Sequence, residues 1–280
     1  MNAEWLSVNQ WAICPTVLTA AISFLVFAVV LGSAERLFRR GEREARRGVG
    51  TDLLFWAFTP ILGKAITFAI VTAIVSWLLS LADRELDLTS VTGWGMIGRQ
   101  SYWLQALEVL ILADLIFYWV HRIFHGRSLW PFHAVHHSST QMDWLSSMRF
   151  HPINDVATRL AQAIPLVLLG FSPVVVLSTI PIVVVFIIVT HADVPWTWGP
   201  LRYVFVSPVY HHWHHSSEPA AIDKNFSGVL VLWDWLFGTL YLPRGQYATV
   251  YGVVGGNYPD RFVRLLVYPF KAVARQISST

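Results

Sequence analysis

The chain contains eleven histidines, and all of them fall between His121 and His215. Most sit in three tight boxes. His121-Arg-Ile-Phe-His125 is an HX3H box, His133-Ala-Val-His136-His137 is HX2HH, and His211-His212-Trp213-His214-His215 contains HX2HH as His211, His214 and His215. Neutral imidazole is a borderline ligand that suits iron, zinc, copper and nickel. Side chains three and four residues apart share one face of a helix, so each box presents two or three imidazoles together. The boxes supply eight histidines, and His151 and His191 bring the set to ten. Ten are too many for one ion with about four to six ligands, but suit two. His212 falls off the spacing of its box and is expected to face solvent or a neighbouring carboxylate. Surface histidines at a membrane interface would account for one such cluster, not for three arriving at one face.

The elements that position these residues are apolar. Of 280 residues, 55% are hydrophobic and only 13% charged, and the mean hydropathy is +0.50, too apolar for an ordinary soluble domain. The single Cys14 excludes an intramolecular disulfide and a cysteine-rich metal site. Arginines flank apolar spans instead of lining a soluble basic surface, so nucleic acid is not a partner. The reading is an all-α integral membrane protein, a bundle of about four to five transmembrane or re-entrant helices under a cytoplasmic helical cap.

Residues 15–34 form a first span, without the basic n-region of a cleaved signal peptide. Arg36, Arg39, Arg40, Arg43, Arg46 and Arg47 follow it, which puts that loop in the cytoplasm and the N-terminus outside. Asp52 to Pro60 reads as a short, separate apolar segment, and residues 63–82 as the second span. Residues 104–124 are the third, about 31 Å of helix, delivering the first histidine box to the cytoplasmic side. Asp114, Tyr118, His121 and His125 recur along it as one polar stripe. A carboxylate within a span needs a partner, so Asp114 is expected to accept an N–H from a ligand histidine, with Tyr118 beside it. Residues 126–155 read as a polar excursion. Residues 156–190, broken at Gly170, Ser172 and Pro173, read as a hairpin that returns His191 to the same side. The whole reads as one membrane domain, capped by 126–155 and 192–280. Phe262, Leu266, Phe270, Val273 and Ile277 lie at helical spacing, on a helix either at the membrane surface or packed against the cap.

These residues resemble the fatty acid hydroxylase/sterol desaturase superfamily of membrane di-iron oxygenases. The resemblance runs from Asp114 to Thr239 through the three boxes, Arg149-Phe-His-Pro152, Thr190-His191, Asp223-Lys-Asn-Phe226 and Trp233-Asp-Trp-Leu-Phe-Gly-Thr239. It implies two iron ions, with zinc able to substitute in a purified protein, held by His121, His125, His133, His136, His137, His211, His214 and His215, together with His151 and His191. It further implies O2 as oxidant, a lipid substrate drawn from the bilayer, and hydroxylation of an unactivated C–H bond. Desaturation or ether-lipid cleavage on the same centre is the alternative. Members often carry Glu where this chain has Asn154 and an acidic residue where it has Thr140, which leaves the subfamily open. No fused haem segment or nucleotide-binding glycine motif is present, so electrons come from a separate donor of ferredoxin or cytochrome b5 type. A metal transporter would need acidic residues on several spans. A haem protein would need isolated histidine pairs on spanning helices. No dilysine-type ending stands at Gln276–Thr280, which favours a plasma (inner) membrane over the endoplasmic reticulum.

Overall fold

The computed structural model describes residues 3–39, 45–81, 83, 85, 87, 92–255 and 258–278; Arg40 and Arg43 of the arginine run lie outside them. Among the described residues there are ten α-helices: α1 (Ala3–Phe38), α2 (Val49–Phe58), α3 (Lys64–Ser80), α4 (Tyr102–Phe124), α5 (Trp130–His133), α6 (Pro152–Leu169), α7 (Pro173–His191), α8 (Pro208–His214), α9 (Leu232–Leu236) and α10 (Phe262–Ser278). Among the described residues the only β pairing is two isolated bridges, Phe205 with Leu230 and Ser216 with Tyr251. Among the described residues four stretches are long and apolar enough to cross a membrane: Val17–Phe38, Val49–Ser80, Tyr102–Phe124 and Pro173–His191. That is the pattern of a multi-pass membrane protein. α6 is not among them, because one face carries Asn154, Asp155, Thr158, Arg159 and Gln162.

The segment from Asp52 to Pro60 is not separate from the second span. α2 runs into α3 through the π-helical turn Thr59–Gly63. A proline lacks the N–H for the α ladder and its ring crowds the preceding turn; the wider π turn accommodates Pro60 without ending the helix. The resulting 32-residue stretch is about 48 Å long, well beyond a hydrocarbon core of about 30 Å. Its N-terminal end is therefore free to serve the cap.

Two apolar cores hold the bundle. One packs α1, α2 and α7 with Trp144 and Met148; the other packs α3, α4, α6 and α7 around Val109, Leu166 and Val175. Phe24, Trp56 and Trp144 meet at ring-centroid distances of 5.3–5.4 Å, which ties α1 and α2 to the turn Trp144–Met148. Several helices start with a polar cap followed by proline, the residue whose missing N–H costs nothing at N1. Ser172 before Pro173 and Ser207 before Pro208 accept N–H bonds from Val175 and Tyr210. α6 and α7 form a hairpin turned at Gly170, whose φ of 106° is open to glycine. α10 packs against α5 and α2 yet exposes Val263, Val267, Phe270 and Ile277, so it is both docked on the cap and apolar on its outer side.

Candidate metal centre

The histidines converge into two groups. His121, His125, His133, His137 and His214 form one; His136, His191, His211 and His215 form the other, with one candidate ligand atom per residue and all atoms of a group within 4.8 Å of one another. The groups abut, since the His137 and His215 rings stack at 4.3 Å. The boxes do not map one to one onto the groups. In each HX2HH box the i, i+4 pair stays together while the i+3 member crosses to the other group: His133 and His137 against His136, His211 and His215 against His214.

Outer hydrogen bonds fix the rings. Nδ1 of His121 bonds the Phe226 carbonyl at 2.7 Å, His133 bonds Oδ1 of Asn154 at 2.7 Å, and His136 bonds the Arg149 carbonyl at 3.3 Å. His214 bonds the Lys224 carbonyl at 2.8 Å, His191 the Ile187 carbonyl of its own helix at 2.6 Å, and His125 the Asp223 carboxylate at 3.1 Å. These partners only accept, so each Nδ1 carries the hydrogen and each Nε2 is a bare lone pair. The lone pairs then face one another. Nε2 of His133 lies 3.0 Å from Nε2 of His121 and 3.1 Å from Nε2 of His137. Nε2 of His125, His191 and His214 and Nδ1 of His211 are buried with no hydrogen-bond partner among the described residues. Converging lone pairs repel unless a cation lies between them, and an N–H anchored to an outer acceptor is the usual arrangement of a metal-bound histidine. The residues present fit two metal ions.

Burial keeps the imidazoles neutral. It lowers the pKa of His133 to about 3 and of His214 to about 4. His125, His136, His137, His211 and His215 are lowered well below the ordinary value by burial first, reinforced by neighbouring histidines. A ligand needs this form.

Three expectations need correcting. His151 joins neither group: its Nδ1 accepts from the Ile153 N–H at 3.2 Å, capping α6, and its Nε2 bonds the Leu266 carbonyl at 3.1 Å. Asp114 touches no histidine. Its Oδ1 accepts from Gly228 and Val229 and its Oδ2 from Leu230 and the Trp233 indole, so it anchors the loop whose Phe226 carbonyl holds His121. Tyr118 likewise meets Thr239 and Arg122 instead of a ligand. The polar stripe of α4 is thus zipped onto residues 223–239 along its length. Asp234 folds that same segment by accepting from Phe226, Ser227, Thr239 and Tyr210. His212 stays outside both groups; it is buried instead of facing solvent, meets the His191 carbonyl and Tyr251, and lies in the field of the Asp193 and Asp143 carboxylates.

Behind His136 lies a buried charge network. Arg149 pairs with Asp52 through Nε and with Ser138 through its guanidinium, and Arg46 bridges Asp52 and Asp143. Arg149 therefore holds the C-terminal side of the second box twice, by its carbonyl on His136 and by its side chain on Ser138 just beyond it. Below the histidines a cavity of about 320 Å3 opens between α3, α4, α6 and α7, and His121, His133, His136, His191 and His211 line its upper end.

Residues 106–239 match the fatty acid hydroxylase family. This stretch thus carries a fatty acid hydroxylase domain. It is 36% identical to an ornithine lipid hydroxylase of Rhizobium tropici over 179 residues, covering 62% of this chain and 54% of that protein. It is 31% identical to an alkylglycerol monooxygenase of Danio rerio, covering 61% and 37%, and 28% identical to a methylsterol monooxygenase of Arabidopsis thaliana, covering 48% and 52%. The chain thus spans about half the length of two of these relatives and just over a third of the other. No solved structure matches it.

Proposed function

We propose that the protein is an O2-dependent di-iron oxygenase that hydroxylates an unactivated C–H bond of a membrane lipid. The observation that carries this reading is the pair of groups of five and four histidines, lone pairs inward, at the head of a cavity in an apolar bundle. One iron would be held by His121, His125, His133, His137 and His214, the other by His136, His191, His211 and His215. Bound there, iron supplies the reduction of O2 and the removal of hydrogen from carbon. The chain's own part is to hold the imidazoles neutral and oriented through Phe226, Asn154, Arg149 and Lys224, and to offer a dry cavity that a lipid enters from the bilayer. Hydroxylation of R–H consumes O2, two electrons and two protons and yields R–OH and water. The electrons come from a separate donor, which the exposed Arg47 at the basic edge between α1 and α2 would help to dock. A site on the cytoplasmic side is supported by the arginines of that edge through the positive-inside rule.

The test is to purify the full chain under anaerobic conditions, measure iron per chain, and follow lipid products under 18O2 with a reductant. About two irons per chain and 18O-labelled lipid are expected, with both lowered in His136→Ala and His214→Ala. Full turnover in either variant, or products formed without O2, would sink the reading; the latter would favour zinc hydrolysis.

A further inference from the structure

The cavity changes character along its length. From His191 to Val176 on α7, both lining it, is fifteen residues, or about 22 Å. One leaflet offers about 15 Å of hydrocarbon, so the cavity is long enough for an acyl chain. Its deep end is apolar, with Leu166, Val176 and Leu177. Near the histidines it is lined by Lys64 of α3 and by Asp155 and Arg159 of α6. Asp155 directly follows Asn154, the partner of His133, and Arg159 stands about 6 Å beyond Asp155 along the helix.

These charges do not balance. Arg159 Nε meets Asp155 Oδ1 at 3.0 Å, and Thr67 donates to the other carboxylate oxygen at 3.4 Å. The Lys64 side chain forms no hydrogen bond or ion pair among the described residues. Two cations thus share one carboxylate beside an apolar cavity, a setting in which charge calls for a partner. Building on the lipid-oxygenase reading, we propose that the cavity takes a lipid with an acidic head group. Lys64 and Arg159 hold its phosphate or carboxylate, and its chain fills the apolar end. The carbons presented to the histidines are then those next to the head group, not those at the methyl terminus.

The test is binding to the full, metal-loaded protein in phosphatidylcholine nanodiscs, anaerobic and without reductant. The probes are phosphatidic acid and diacylglycerol of matched chains, competing against a photoreactive diacylglycerol. At least a tenfold preference for phosphatidic acid is expected. It should fall toward one in Lys64→Gln/Arg159→Gln, persist in Lys64→Arg, and resist millimolar inorganic phosphate, which identifies a lipid head group and not a free anion. Equal binding of the two lipids by the wild type, or an unchanged preference in the double variant, overturns the proposal. If the double variant loses iron, Lys64→Gln alone decides, because the Lys64 side chain holds no hydrogen bond or ion pair among the described residues. Oxidation at the methyl end of the chain would overturn the positional part. Absence of any oxygenated lipid would sink the oxygenase reading while leaving this preference measurable. Equal binding would sink the head-group site and leave oxygenation standing.

Discussion

Asp114 is the residue whose replacement separates a loop anchor from a direct partner of the ligands. The residue is 3% exposed. Its carboxylate takes four donors, Gly228 and Val229 at 3.2 and 2.9 Å on one oxygen and Leu230 and the Trp233 indole at 2.8 and 3.0 Å on the other. Asp114→Ala strands all four. A buried unsatisfied donor costs about 1–3 kcal/mol, so a rigid structure would lose roughly 4–12 kcal/mol, comparable with a whole domain's stability of about 5–15 kcal/mol. The loop will therefore move to water before it holds four unmade bonds, and its movement takes the Phe226 carbonyl away from His121. Asp114→Asn fails for a different reason. Its oxygen can keep one pair of donors, but its amide N–H groups then face the other pair. Hydrogen exchange in detergent should show protection across residues 226–233 falling at least tenfold in both variants. Iron should be lost first from the group containing His121. An Asn variant with full protection at Gly228–Leu230 and two irons per chain would refute the reasoning.

Other consequences follow from the same contacts. His151→Gln should keep the full metal content and lose about 1 kcal/mol of stability with its helix cap, whereas His191→Gln should deplete one metal; elemental analysis beside thermal unfolding distinguishes them. Asp52→Asn leaves Arg149 and Arg46 short of a buried counter-charge, a change worth about 3–5 kcal/mol. Because the Arg149 carbonyl holds His136, the metal of the second group should weaken with it; an unchanged melting temperature with unchanged metal would contradict this. In the metal-stripped protein, His133 at about 3 and His214 at about 4 lie below the unfolded value of about 6.5. Below that value the unfolded chain binds more protons. Stability should be flat above about pH 6.5 and fall as pH drops toward 4, by about 1.4 kcal/mol per unit for each such histidine. Denaturant unfolding at neutral and mildly acidic pH reads this directly, and equal midpoints would count against neutral, buried rings.

Much of this arrangement was legible in the sequence, and the misses have physical causes. The apolar runs give the spans and the break at Gly170–Pro173 gives the hairpin, because length and turn chemistry are local properties. The stripe Asp114, Tyr118, His121 and His125 is visible as helical spacing, but its target is not: a carboxylate in a span announces that it has donors, not which ones. Here they are three backbone N–H groups and one indole N–H, all more than one hundred residues away. His151 was readable in principle. It precedes Pro152 as Ser172 precedes Pro173 and Ser207 precedes Pro208, the cap-then-proline start of a helix, and its ring nitrogen performs the cap. The carbonyls of Phe226, Arg149 and Lys224 could not be read at all, because every residue has one.

The division of the boxes shows why spacing alone gives the ligands but not the sites. At 3.6 residues per turn each residue advances about 100°. An i+4 partner therefore lies about 40° to one side of its origin and an i+3 partner about 60° to the other, leaving the last two histidines of HX2HH about 100° apart. Such a triplet shares one broad face but cannot aim at a single point. On α8 the geometry is direct: His211 and His215 turn toward His136 and His191, while His214 turns toward His121 and His125. The same division at His133, His136 and His137 runs through a short 3-10 turn, and the sorting is unchanged. Each HX2HH box is thus a bridge that gives two ligands to one group and one to the other. The HX3H box, lacking the i+3 member, serves one group only, and His191 supplies the fourth ligand of the other. Two abutting groups joined by two such bridges move together, and this mutual dependence is what the carbonyl and carboxylate anchors outside the rings hold in place.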